Sequence, residues 1–114
     1  MSSQVTLASV SSIPVSSGSV NLNIAWTINA PLDVRQQITV GTSFTAVTVP
    51  SGASLCVIIP PTTNTNALTL KGVTGDTGIP ISPSQPTVIP CVGSTAFGLL
   101  ATGATIPLTE IVFL

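Results

Sequence analysis

The sequence predicts an all-β protein: an antiparallel β-sandwich or jelly-roll-like single domain of roughly seven to nine short strands. Three observations lead there. Val20, Leu22, Ile24, Trp26 and Ile28 alternate with Ser19, Asn21, Asn23, Ala25, Thr27 and Asn29, the two-residue period of a strand with one dry face. Short apolar runs then recur between turns rich in Pro, Gly and Asn. Finally, no window places apolar residues at i, i+3, i+4 and i+7 between caps, as an amphipathic helix requires.

Taken in order, residues 1–18 form a Ser-rich N-terminal strand or arm, with Val5, Leu7, Val10, Ile13 and Val15 keeping the two-residue period only briefly around Ser11-Ser12. Residues 19–114 form a single β domain. After the Trp26 strand, Ala30-Pro31-Leu32-Asp33 reads as a turn, since Pro fixes φ and cannot donate to a ladder. Strands are expected from Arg35 to Val40, ending at Gly41, and from Phe44 to Val49, closed by the tight turn Pro50-Ser51-Gly52. Leu55 to Ile59 is continuously apolar, as in a strand covered on both faces.

Pro60-Pro61 ends that run, and the polar segment Thr62 to Asn66 is a loop. Ala67 to Val73 returns to strand, with Leu68 and Leu70 on one face. The cluster from Gly72 to Gly78 calls for a left-handed residue or a bulge. Prolines 80, 83, 86 and 90 then confine their segment to an edge or an extended crossing. Phe97, Leu99 and Leu100 mark a strand within 93–103, and 108–114 ends on the apolar run Ile111-Val112-Phe113-Leu114, a strand tied into a sheet.

Charge is scarce. The 114 residues carry 4% charged side chains and a net charge of −1, against about 25% charged in an ordinary soluble domain. Two basic residues cannot neutralise a phosphate backbone, so nucleic acid is not an expected partner. The longest apolar runs fall far short of the ~18–20 residues a spanning helix needs, so no membrane helix is expected. A membrane barrel would carry aromatic girdles, and the chain has no Tyr and one Trp. Met1-Ser2-Ser3-Gln4 lacks the basic and apolar regions of a secretory signal, so none is expected.

No catalytic, cofactor-binding or metal site is expected either. His is absent, which removes the usual general base and the commonest metal ligand. Lys71 on an alternating strand reads as a solvated side chain. Asp33, Asp76 and Glu110 sit in separate turns and strands and could serve as a carboxylate pair only if two met in a cleft. Asp76, between Gly75 and Thr77, is better suited to an Asx-type turn. The loop has too few acidic oxygens for calcium and lacks the Lys-Ser/Thr ending of a phosphate loop. Cys56 and Cys91 are either small buried hydrophobes or one disulfide, stabilising by about 4 kcal/mol in the chain-entropy model. Two thiols alone make no zinc site.

An exterior of Ser, Thr, Asn, Gln and surplus apolar residues suits a domain covered by neighbours, so a homo-oligomer, with a trimer favoured, is expected. The run from Leu68 to Ile79 (LTLKGVTGDTGI), followed by Pro86-Thr87-Val88-Ile89 and preceded by the Val49-Pro50-Ser51-Gly52 turn, resembles a segment of small virion structural proteins of tailed bacteriophages. The resemblance implies a non-enzymatic capsid decoration (cement) protein that stabilises the head through contacts with the major capsid protein. Two alternatives stand beside it: a tail, fibre or baseplate adaptor touching tail proteins, and a subunit of a bacterial surface polymer such as a pilus-like or adhesive β module. The first two imply a location in the virion, the third the cell surface.

Overall fold

A computed structural model describes residues 3–7, 13–15, 18–20, 26–30, 34–91 and 96–114. The chain is all-β. Four short strands come first: β1 (Ser3–Leu7), β2 (Ile13–Val15), β3 (Gly18–Val20) and β4 (Trp26–Ala30). β1 pairs antiparallel with β4, Leu7 opposite Trp26, and β2 pairs with β3, Ile13 opposite Val20. The alternating run of 19–29 is therefore shared between two ladders. Its expected dry face around the Trp26 side chain lies outside the described residues, as do the turn at 31–33 and the side chains of the N-terminal arm.

Eight further strands build the body: β5 (Val34–Val40), β6 (Thr45–Thr48), β7 (Leu55–Ile59), β8 (Ala67–Lys71), β9 (Ile79–Ile81), β10 (Thr87–Pro90), β11 (Ala96–Thr102) and β12 (Ile106–Phe113). They form two antiparallel four-stranded sheets, in the orders β10-β7-β12-β5 and β6-β11-β8-β9. The pairing is nested: β8 with β9, β7 with β10, β6 with β11 and β5 with β12. One long antiparallel ribbon folded over on itself in this way is the jelly-roll arrangement.

Alternation decides what each sheet buries. Cys56 and Ile58 of β7, Ile111 and Phe113 of β12, and Val40 of β5 meet Val47, Leu68, Leu99 and Ala101 from the other sheet in one apolar core. Phe113, Ile58, Ile111 and Leu99 are completely buried, and each such side chain contributes about 1.5–3 kcal/mol over its exposed state. Thr109 is the one buried polar residue among those described, and its hydroxyl donates to the Ile106 carbonyl at 3.4 Å. That contact lies across a register shift between Ile106 and Thr109, where Leu108 takes φ 57°, so β12 turns its side chains through a bulge.

The punctuation follows residue type. Ala53 N–H donates to the Pro50 carbonyl at 3.2 Å while Gly52 takes φ 85°, the type II turn that Pro-Ser-Gly suits. Pro80 and Pro90 fall on β9 and β10, the outermost strands on one side of the sandwich. Cys91 N–H donates inward to the Ser54 carbonyl, and amide directions alternate along a strand, so the missing donor of Pro90 is on the free side. On the neighbouring strand, the amide of Leu114 donates to the Leu55 carbonyl at 2.9 Å and Leu55 answers at 3.0 Å, tying the last apolar run into the sheet beside β7.

Candidate binding site and surfaces

A cavity of about 470 Å³ opens between the two sheets beside edge strands β9 and β10. One wall is Cys56, Ile89 and Cys91; the other is Leu70, Ile79 and Phe97, with Lys71 and Asp76 also in the lining. The alternation that makes the core also makes this space. Leu70 pairs with Ile79, and Ile89 with Cys56, so all four point between the sheets, where among the described residues no further strand pairs beyond β9 or β10. Ile79 is consequently 64% exposed.

The loop joining β8 to β9 fixes one rim. Asp76 Oδ2 accepts the amides of Gly72 at 2.7 Å and Val73 at 3.2 Å, the turn role its position suggested. Those two amides hold its carboxyl below the ordinary carboxylate range, with smaller help from the Gly78 amide and the Lys71 ammonium, against a small opposing effect of burial. Gly78 has φ 78°, and a Cβ there would sit 2.6 Å from the Leu70 carbonyl oxygen. The glycine cluster thus supplies the left-handed residue that lets the hairpin return against β8.

Both thiols are free. With Ile89 opposite Cys56 and Cys91 beside Ser54, the cysteines are diagonal neighbours on one face. Diagonal Cα atoms are about 7–8 Å apart, beyond the roughly 4.4–6.8 Å usual for a disulfide. Of the two readings, the free pair is the one observed. Burial, and then the nearby Cys91, push the Cys56 thiol up to about 12; burial also raises Cys91. Both are protonated, apolar parts of the wall at neutral pH.

The other described charges lie apart. Arg35 Nη1 donates to Glu110 Oε1 at 3.4 Å across β5 and β12 on the outer face of their sheet. The two side chains are 67% and 37% exposed, where such a pair is worth little. Asp33 lies outside the described residues. Asp76, in the β8–β9 loop at the cavity, and Glu110, on the outer face of β12, are apart, and among the described residues no three His, Cys, Asp or Glu side chains cluster to hold a metal. Among the described residues no helix is long and apolar enough to cross a membrane.

Beside that ion pair, β5 presents the exposed Arg35, Gln37 and Thr39 on the outer face, and the apolar side chains lie on β10, β7 and β12. Val88 pairs with Val57, Val57 with Val112 and Ile59 with Glu110. Val88 is 39% exposed, Val57 and Ile59 are half-buried, and Val112 is 7% exposed. On the run 55–59, Cys56 and Ile58 are thus buried on the inner face, and on the outer face Leu55 is buried while Val57 and Ile59 are half-open. Neither the cavity nor this face was picked out from sequence. Their signal was the apolar residues left over once each strand had filled its inward positions, which becomes readable only after the strand order is known.

Fold and surface define an eight-stranded jelly roll with an open apolar end and an outer face whose described charges are the Arg35–Glu110 pair. No protein-family model, curated protein or solved structure matches the chain.

Proposed function

We propose that the chain is a non-enzymatic structural protein of a bacteriophage particle, a decoration protein that binds the capsid and stabilises it through protein–protein contacts as a homo-oligomer. The observation that carries this reading is the outer face of β10-β7-β12, where the exposed Val88 and the half-buried Val57 and Ile59 lie beside the Arg35–Glu110 ion pair. Apolar and neutral side chains in one patch suit a surface covered by protein. Jelly rolls are widely used as capsid modules, and the LTLKGVTGDTGI segment resembles phage virion proteins. Fold alone does not assign a role; the outer face supplies the physical argument.

Contacts of this kind rest on buried area and backbone hydrogen bonds, so particle binding should survive molar salt, where a charge-steered interface would weaken. Mass spectrometry of washed virions is the test. Particles carrying the chain after a high-salt wash support the reading, and particles without it overturn it. Virions lacking the protein should rupture at lower temperature if it decorates the head, and should lose tail integrity or host attachment if it is an adaptor.

A further inference from the structure

We infer that the cavity between the sheets is a binding site for a small, neutral, apolar molecule, a role independent of what the outer face contacts. The volume of about 470 Å³ is roughly three times that of the apolar cavity known to take up benzene, and lies within the roughly 300–1,000 Å³ of ordinary ligand pockets. Space for two or three fused or linked rings, or a medium alkyl chain, is therefore present.

The walls select for neutrality. Leu70, Ile79, Ile89 and Phe97 supply hydrocarbon and aromatic surface, and Cys56 and Cys91 add thiols whose ionisation burial opposes. The Asp76 carboxylate already accepts the Gly72 and Val73 amides, and the Lys71 ammonium lies close enough to favour its charged form. Lys71 and Asp76 are the two charges in the lining and offset each other, so the wall presents no net charge to an ionic ligand.

Backbone chemistry argues against an inserted strand as the occupant. A strand laid along either side of the opening would add to β9 or β10, and each carries a proline, Pro80 or Pro90. Pro90 removes a donor on the free side of β10, and prolines on edge strands block this kind of pairing. Side-chain contact with a compact apolar ligand remains, with the exposed Ile79 at the entrance.

The test uses the full chain and the neutral fluorophore N-phenyl-1-naphthylamine. Saturable binding of one probe per chain is expected, with shifts in the methyl resonances of Leu70, Ile79 and Ile89 and slower alkylation of Cys91. Cys91→Phe, which fills the space, and Ile79→Glu, which charges an exposed position, should each weaken binding by about tenfold or more. Val88→Glu on the outer face should leave it unchanged. Having two independent variants keeps the test decisive if one fails to fold, as circular dichroism would report. The inference is overturned if binding does not saturate, if one probe is shared between two chains, or if the shifts map to Val57, Val88 and Val112.

Discussion

Replacing Gly98 with alanine should destabilise the protein only while Phe44 is present. Gly98 is buried on β11, between Ala46 of β6 and Lys71 of β8, and a Cβ there would run into the ring of Phe44. Three ring atoms stand in the way, so no small rotation relieves the overlap. Either the ring gives up its packing on the strand or the strand moves. Overpacking of this kind costs about 1–3 kcal/mol. Alanine in a strand also recovers about 0.5–1 kcal/mol of the conformational entropy that glycine loses on folding. The net effect of Gly98→Ala is therefore a loss of about 0.5–2 kcal/mol. With Phe44→Ala as background the overlap is gone and the entropy gain remains, so the same substitution should become neutral or stabilising by up to about 1 kcal/mol. The coupling between the two positions is then about 1–3 kcal/mol, inside the range of residues in direct contact. Urea unfolding of the four proteins measures it, through midpoints at constant m-value. Equal effects of Gly98→Ala in both backgrounds would refute the reasoning.

Gly78→Ala should destabilise in every background by about 1–3 kcal/mol, because the left-handed φ and the Leu70 carbonyl both oppose a Cβ; chemical unfolding checks it. Asp76 has a folded-state pKa below its unfolded value, so its contribution is present above the unfolded value and lost as pH falls through the lowered folded one. Asp76→Asn should flatten that part of the acid limb in a pH series of unfolding free energies, and an unchanged limb would show that other groups dominate. In the native protein at pH 8, iodoacetamide should modify Cys91 before Cys56, which is 1% exposed and has a thiol pushed up to about 12; peptide mapping by mass spectrometry gives the order, and preferential labelling of Cys56 would contradict the burial described.

The local structure was legible because it is written in local terms. Leu68 and Leu70 share a face by period, Gly78 is left-handed because the cluster around it demands such a residue, and Pro80 and Pro90 mark edge strands because neither can complete a two-sided ladder. The strand order was not legible. It joins Phe113 to Val34 and Leu99 to Thr45, pairs with no local signature. For the same reason the Phe44–Gly98 contact and the cavity walls were hidden: each brings together residues from separate strands, and nothing about Cys56 alone says that Leu70 will face it. The run of 19–29 is a different case. Its period is correct for strand, but period does not say with whom a strand pairs, and the run serves two ladders.

The nesting of strand pairs also allows a stepwise order of assembly. The β8–β9 hairpin closes over a loop held by Asp76, so it can form first and locally. Once it has, β7 and β10 are brought within reach, then β6 and β11, and finally β5 and β12, each step closing a loop already shortened by the one before. Jelly-roll topology makes β5 and β12 distant in sequence, which by itself favours slow folding, yet in this order no step has to search that full distance. Disturbance at the Gly72–Gly78 turn should therefore retard folding, whereas disturbance at β5 should chiefly hasten unfolding.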